Sequence, residues 1–336
     1  MPLPISKFGL QIKLIVGFTS IFCANERFAV ANPSMQATCN CRPAYIVNKC
    51  CENRSCSLRK RLDELPARLY LARMEHAKPL AIAVCIVLLW VAESAFPHLA
   101  EFATARARWR HAARNLCLAL MNWGLALAGL AALITWSASH DFGLFNRLNI
   151  PEPAGSLLIL LCFDAWMYGW HRLNHVVPLL WRFHRVHHSD PTMDVSSGLR
   201  FHPGEIILSG LARALVLPVL GMSITQLLLY ETVLLPVVLF HHCNLALPRR
   251  LDDPIRKLIV TPWMHWVHHS RIREETNSNY GSVLSIWDRL FGSYRFRADA
   301  DAIVFGLDEF AEEADHTVTG MLRTPLRGKN QSSPPP

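Results

Sequence analysis

The sequence predicts an all-α membrane protein with about four to five transmembrane or hairpin helices and a cytoplasmic, histidine-rich helical cap. Hydrophobic residues make up 51% of the 336 positions and the mean hydropathy is +0.19, which is typical of a chain embedded in lipid. Residues 116–138 contain no charged side chain. Eleven of the sixteen histidines lie between positions 171 and 269, and this concentration predicts a metal-binding region.

Three candidate spans follow one another before the main histidine clusters. Crossing about 30 Å of hydrocarbon takes roughly 20 apolar residues of helix, which residues 116–138 supply. Residues 79–96 and 155–170 are apolar except for one carboxylate each, Glu93 and Asp164. We expect each of these three segments to form a transmembrane helix.

Two further apolar runs, residues 206–220 and 223–239, are separated by Gly221 and predict a hairpin that dips through the bilayer. Arg213 and Glu231 are the only charged residues in these runs. Because a charged group in hydrocarbon is costly, both side chains should face protein or water.

The distribution of basic residues indicates how the chain is oriented in the membrane. Arg106, Arg108, Arg110 and Arg114 lie just before the second candidate span, and short basic loops of this kind stay in the cytoplasm. An even number of crossings separates the histidine-bearing segments, so they share one face. We therefore predict an integral, multi-pass membrane protein whose histidine site faces the cytoplasm. The same orientation would place the basic residues between 59 and 78 on the non-cytoplasmic side, whereas basic segments next to a span usually stay in the cytoplasm.

The chain divides into four predicted regions, and the first is of uncertain status. Residues 8–31 resemble a secretory signal, and five cysteines between positions 39 and 56 suit disulfides or a small zinc site. The alternative is that the protein starts at Met74. The regions are an N-terminal extension (1–73), N-terminal transmembrane helices (74–153), the histidine-rich catalytic domain (154–310) and a disordered tail ending in SSPPP (311–336).

Two histidine clusters share the spacing HxxHH. They are His184, His187, His188 and His265, His268, His269. Because helix positions i, i+3 and i+4 lie on one side, we expect each cluster to direct three imidazoles towards one point. His171 and His175 form a further pair upstream. So many imidazoles exceed what one four- or six-coordinate ion uses, and two metal ions are the economical count.

The motifs resemble those of the fatty acid hydroxylase and sterol desaturase family, which comprises membrane-bound, histidine-rich di-iron oxygenases. The resemblance runs from about Asp164 to Tyr294 and rests on the order and spacing of five segments. These segments are Asp164, Tyr168 and Trp170 leading into HRLNH (171–175), HRVHHSDPTMDVSSGLRFHP (184–203), FHHCN (240–244), TPWMHWVHHS (261–270) and NSNYGSVLSIWDRLFGSY (277–294).

The resemblance also implies which residues hold the metals. The implied ligands are His171, His175, His184, His187, His188, His202, His242, His265, His268 and His269. His241 falls one place off the family pattern and is interpreted as a neighbouring polar residue. Four other polar side chains are expected to orient the ligand rings, and these are Asp164, Asp194, Asn244 and Asn279.

By the same resemblance the protein is an oxidoreductase that uses two iron ions and O₂. It would hydroxylate, or desaturate, a C–H bond of a lipid such as a fatty acyl chain or a sterol-like substrate. The sequence contains no dinucleotide-binding fingerprint and no ferredoxin cysteine set. We therefore expect a separate electron-transfer protein as a partner.

Two other classes of protein also use clustered histidines. A membrane-associated zinc hydrolase acting on a lipid would use similar ligands, but neither histidine cluster contains a glutamate. A metal transporter would place histidines along the spans, whereas here they follow the ends of the spans. Nucleic-acid binding is not expected, because the net charge of +8 is spread around the spans and suits anionic lipid surfaces better.

Overall fold

The computed structural model describes residues 80–139, 143–148 and 150–327, and this part of the chain is all-helical. Its long helices are α1 (Leu80–Ala95), α2 (Ala105–Ser139), α3 (Ala154–Val176), α4 (Pro178–His188), α5 (Pro203–Leu220) and α6 (Ile224–His242). Short helices follow, namely α7 (Arg249–Ile255), α8 (Pro262–His268), α9 (Arg273–Thr276), α10 (Ile286–Leu290) and α11 (Val318–Arg323). Within the described residues extended pairing is limited to isolated bridges, so the predicted helical class is confirmed there.

The five apolar segments expected as spans all lie in long helices. Two helices of the described part, α5 and α6, are long and apolar enough to cross a membrane. Helix α1 is apolar but shorter. These findings indicate a membrane protein, while the number of crossings stays a prediction.

The predicted hairpin is formed by α5 and α6. Gly221 ends α5 with a φ of 74°, a left-handed conformation that a residue without a Cβ adopts readily. Ser223 then begins α6 through a capping box, in which its hydroxyl accepts from the backbone of Gln226 and the Gln226 side chain accepts from the backbone of Ser223. The guanidinium of Arg213 lies 3.3 Å from the carboxylate of Glu231, so the two charges of the hairpin face each other.

Apolar residues divide between an inner and an outer face of the helices. The inner face packs α3 against α5 and α6, where Phe163 meets the edge of Tyr230 with ring centroids 4.9 Å apart. On the outer face Leu211 and Leu215 of α5 are 61% and 75% exposed, and Leu88 of α1 is 64% exposed. Large leucines that point outward in this way are expected where the surrounding medium is lipid.

The segment after residue 311 folds onto α4, which differs from the disorder expected for the tail. Met321 is fully buried with Leu118 and Val186, and Arg185 donates hydrogen bonds to the carbonyls of Thr324 and Arg327. The composition of the segment did not indicate these contacts, because only a few of its residues make them and the rest are typical of a disordered tail. The remaining tail (328–336) and the predicted N-terminal extension (1–73) lie outside the described residues.

Candidate metal centre

Nine of the ten predicted ligand histidines converge in two adjacent groups, in each of which the donor nitrogens lie within 4.8 Å of one another. Group one consists of His171, His175, His184, His188 and His268, and group two of His187, His242, His265 and His269. Eight of the nine histidines lie in helices α3, α4, α6 and α8, and the ninth, His269, is the residue that ends α8. The groups adjoin, since the stacked rings of His188 and His269 have centroids 4.5 Å apart.

Each HxxHH cluster is split between the two groups, which differs from the expectation that its three imidazoles meet at one point. His184 and His188 join group one while His187 joins group two, and the second cluster is divided in the opposite sense. The reason is helical geometry. Residues i and i+4 differ by about 40° around the axis, whereas i+3 lies about 60° to the other side of i.

The ring nitrogens within each group are spaced as ligands of one ion would be. In group one the Nε2 atoms of His171 and His184 are 3.2 Å apart, and those of His171 and His268 are 3.1 Å apart. In group two the Nε2 atoms of His242 and His265 are 3.1 Å apart. An ion about 2.1 Å from two nitrogens separates them by about 3.0 Å at a right angle and about 3.4 Å at the tetrahedral angle. The spacing therefore fits one ion per group.

The protonation of the imidazole rings also favours a cation between the facing ring nitrogens. Nδ1 of His268 donates to the carbonyl of Ser278 at 2.7 Å, and Nδ1 of His171 donates to that of Tyr280 at 2.8 Å. Burial lowers the pKa of His268 to about 3, so its ring is neutral and its Nε2 bears a lone pair. A lone pair on each of two facing Nε2 atoms is repulsive unless a positive ion lies between them.

Four further rings outside the long apolar helices are neutral for the same reason. Burial, followed by the neighbouring histidines, holds the pKa values of His187, His188, His265 and His269 well below the ordinary value. Neutral imidazole is the form that binds metal. Imidazole nitrogens are suitable ligands for iron, zinc, copper and nickel, so the nine histidines by themselves do not distinguish among these metals.

Backbone carbonyls orient several rings, and the chain around Gly281 positions two of these carbonyls. The carboxylate of Asp288 accepts from the backbone N–H groups of Tyr280 and Gly281. A Cβ at Gly281 would lie 2.8 Å from both Asp288 Oδ2 and the carbonyl of Leu284, so only glycine fits this loop. The loop thereby holds the carbonyls of residues 278 and 280 against the rings of group one.

None of the four polar side chains expected to orient the rings contacts a ligand ring in the described structure. Asp164 accepts from Tyr230 and Trp287, so it ties α3 to α6 and to α10. Asp194 accepts from Ser196. Asn244 forms hydrogen bonds with the backbone of Leu99. Asn279 forms hydrogen bonds with the backbone of Met264 and Arg295.

Glu205 is the carboxylate that does contact a ligand ring. Its Oε1 lies 2.8 Å from Nδ1 of His184, and the side chain is buried at the start of α5. A carboxylate that accepts from a ligand's second nitrogen fixes the ring and makes it a stronger donor. The sequence patterns did not single out Glu205, because nothing local distinguishes it from an ordinary glutamate in the first turn of a helix.

His202 lies outside both groups. Its Nδ1 accepts from the backbone N–H of Gly204 and caps α5, while Nε2 lies 3.2 Å from the carbonyl of Leu322. Both nitrogens thus have protein partners. His241 is buried with its ring centroid 4.0 Å from that of His265, beside group two and not part of it.

His111 is a largely buried residue beside the centre that the sequence patterns did not indicate. Its Nε2 lies 2.9 Å from Asp190, and its Nδ1 is 3.3 Å from Asp194. Burial opposes the charged form, but these two carboxylates raise the pKa of His111 to about 10. The imidazolium ties α2 to the segment that follows His188. Only the fold brings position 111 next to position 190, so no local signal was available.

Replacing Glu205 with glutamine is expected to lower the metal affinity of the centre about tenfold while leaving the fold intact. Glutamine still accepts from His184 but no longer supplies a negative charge. Chelator competition on the purified protein measures the change. Glu152→Gln, an exposed position just before α3, is the matched control and should behave as the wild type. An unchanged affinity in Glu205→Gln would contradict the orienting role.

His111 should also make the stability of the protein depend on pH. Because its pKa is raised from about 6.5 to about 10 on folding, its contribution is complete below pH 6.5 and is lost as the pH rises to about 10. Replacing His111 with asparagine breaks a buried ion pair and should cost roughly 3 kcal/mol at pH 6. Thermal unfolding from pH 6 to pH 10 tests this. The two proteins should converge at the alkaline end, and a constant difference would refute the assignment.

Comparison with known proteins supports the resemblance inferred from the motifs. Residues 156–293 match the family model described as fatty acid hydroxylase. The ornithine lipid hydroxylase of Rhizobium tropici is 33% identical over 138 residues, which are 41% of this chain and 41% of that protein. The alkylglycerol monooxygenase of Homo sapiens is 32% identical over 173 residues, which are 50% of this chain and 36% of that protein.

A cholesterol 25-hydroxylase-like protein of Danio rerio is 31% identical over 141 residues, which are 41% of this chain and 54% of that protein. The chain therefore spans about half of the length of these relatives or less. No solved structure matches the chain significantly. The family resemblance predicted from the motifs is confirmed.

Proposed function

We propose that this chain, whose residues 156–293 match the fatty acid hydroxylase family model, hydroxylates a C–H bond of a membrane lipid. The observation that carries the proposal is the convergence of nine histidines, eight of them buried, into two adjacent groups. A structural role alone would not require so many buried rings with their lone pairs facing one another.

Two iron ions are the proposed metals, one for each group. When bound, they would supply the reduction of O₂ by which one oxygen atom enters the C–H bond and the other leaves as water, with two electrons and two protons consumed. We propose that the electrons come from a separate electron-transfer protein. The five histidines of group one and the four of group two would hold the ions through Nε2, with His175 available through either nitrogen.

The chain's own residues orient the ligands and exclude water. The Nδ1 atoms of His171, His242 and His268 donate to backbone carbonyls, and that of His184 donates to Glu205. Phe201 stacks on His187 with ring centroids 4.4 Å apart, and this contact closes one side of group two. A dry, prearranged site favours reaction at the substrate carbon over side reactions with water.

The membrane arrangement follows from the same proposal. The N-terminal helices of residues 74–153 and the hairpin of α5 and α6 would anchor the catalytic domain of residues 154–310 as a multi-pass protein. The histidine centre would face the cytoplasm, where the basic residues before the second candidate span lie. A lipid substrate would then reach the centre from the bilayer.

Hydroxylation is preferred to desaturation because all three relatives described above are named as hydroxylases or monooxygenases. Those names refer to an ornithine lipid, an alkylglycerol and cholesterol. The shared class is a lipid with a polar head, and we propose this class for the present chain. Desaturation would use the same centre with a different placement of the substrate carbon.

Mass spectrometry of whole-cell lipids tests the function. Cells that express the protein should accumulate a lipid with one added oxygen, which should be absent when His188 is replaced with alanine. Loss of two hydrogens would favour desaturation. Hydrolytic fragments, together with zinc in the purified protein, would contradict the proposal in favour of a zinc hydrolase.

A further inference from the structure

Helix α4 supplies ligands to both histidine groups. His184 and His188 belong to group one, and His187 belongs to group two. The helix has eleven residues, and no side chain in the described part of the chain caps its first turn. A helix this short is marginal by itself and is held by the segments that pack on it. Those segments therefore decide where three of the nine ligand rings lie.

The C-terminal segment, residues 307–327, packs on α4 through two apolar contacts. Trp181, in the first turn of the helix, is buried with Leu307 and Phe310. In the last turn, Val186 is fully buried in one cluster with Met321. Because a packed interior leaves little space for movement, these contacts restrict α4 near both of its ends.

Arg185 adds a polar connection between α4 and the C-terminal segment. It is 1% exposed and donates to the carbonyls of Thr324 at 2.5 Å and of Arg327 at 3.0 Å. Its guanidinium also lies 3.4 Å from the carboxylate of Glu309. A buried guanidinium needs such partners, because an unpaired charge away from water is costly. Since Arg185 directly follows the ligand His184, its bonds fix the helical turn that carries this ring.

Arg200 makes a second polar connection, at the end of α4. It is 1% exposed, and its Nε donates to the carbonyl of Val186 at 2.9 Å. Its Nη2 donates to the hydroxyl of Ser189 at 3.2 Å and to Nδ1 of His316, in the C-terminal segment, at 3.0 Å. The last turn of α4, which carries two ligand histidines, is thereby joined to the same segment.

We propose that the C-terminal segment is a positioning element of the metal centre, which holds α4 through Arg185 and Arg200 so that its three histidines face the two groups. The inference rests on the proposed function, because it states how ligands of the proposed ions are held in place. Apolar contacts alone would be enough for packing, whereas here two buried arginines direct charged donors at one segment. The segment lies wholly beyond residue 293, where the match to the family model ends.

Gly320 of α11 allows the contact to be disturbed without a change in α4. A Cβ at this position would collide with the backbone carbonyl oxygens of Ala314 and Asp315. Gly320→Ala should therefore displace α11 together with the adjacent Met321. Gly210→Ala, in α5, is the matched control, because a Cβ there would meet no atom within 4 Å.

Arg185 provides a second disturbance that is independent of the first. Arg185→Gln removes the charge that the carbonyls of the C-terminal segment accept from. Arg185→Lys keeps a cation and has enough N–H donors for both carbonyls. We expect glutamine to loosen α4 as Gly320→Ala does, and lysine to restore most of the wild-type behaviour.

Titration of the purified, metal-free, full-length protein with Co²⁺ in the absence of O₂ tests the proposal. The visible absorption of bound Co²⁺ reports both affinity and ligand geometry. Gly320→Ala and Arg185→Gln should bind Co²⁺ about tenfold more weakly than the wild type at both groups, with altered absorption bands. Gly210→Ala and Arg185→Lys should stay within about threefold of the wild type. Both groups should weaken together, because α4 supplies ligands to both.

Wild-type affinity and absorption in folded Gly320→Ala and Arg185→Gln, even with a lowered melting temperature, would overturn the proposal, since the segment would then serve stability only. If Gly320→Ala does not fold, the two Arg185 variants decide the matter. Binding by the wild type separates this inference from the proposed function. If the wild type binds no Co²⁺, the metal centre of the proposed function fails. If the wild type and every variant bind about two ions equally well, only the role of the C-terminal segment fails.

Discussion

Replacing His268 with alanine is expected to weaken iron binding by group one, which keeps four histidines, and to abolish oxygen insertion. His268 is fully buried, and its Nε2 lies 3.1 Å from that of His171. No other side chain takes its place, because α8 directs the neighbouring His265 and His269 into group two. Iron content by elemental mass spectrometry and oxygen insertion by lipid mass spectrometry measure the two effects.

His202→Ala is the matched control for this substitution. The motif implies a ligand at His202, whereas the fold uses its two nitrogens at the start of α5 and against Leu322. The variant should keep the wild-type iron content and activity and lose about 1 kcal/mol of stability through the missing cap. If His202→Ala weakened iron binding and His268→Ala left it unchanged, the proposed ligand groups would be refuted.

The double variant His187→Ala, His242→Ala is expected to lower the iron content from about two ions to about one per chain and to abolish activity. Both residues belong to group two, where their Nε2 atoms are 3.1 Å apart. Removing both leaves only His265 and His269 in that group, which are too few to hold an ion firmly. Group one keeps all five of its histidines.

A double variant in group one provides the comparison for the double variant in group two. The adjacent residue His188 belongs to group one, so His184→Ala, His188→Ala should instead weaken iron binding in group one, where three histidines remain, and keep the iron of group two. The remaining ions should differ in their spectra, because five histidines surround one and four surround the other. Loss of both ions in each double variant, with the fold retained, would indicate a single shared centre instead.

The sequence predicted much of this arrangement because its signals are local. Apolar length indicated the long helices, and Gly221 with Ser223 marked the turn of the hairpin. The histidine spacing identified nine residues that converge, since residues three and four apart on a helix lie close together. The family resemblance followed from the order of the same motifs.

What the sequence did not indicate depends on contacts between distant segments. The carbonyls of Ser278 and Tyr280 that orient the rings are backbone groups, which no residue type marks. The pairing of His111 with Asp190 joins positions 79 apart. The division of each HxxHH cluster between two groups depends on where the partner helices lie, which spacing alone does not define.

Elemental analysis of the purified wild-type protein tests the central claim most directly. Two groups of histidines should hold two iron ions per chain after expression in iron-replete cells, and chelation should remove iron and activity together. About two iron ions per chain is the predicted result. A single ion per chain, or zinc in place of iron in an active protein, would contradict the binuclear iron centre.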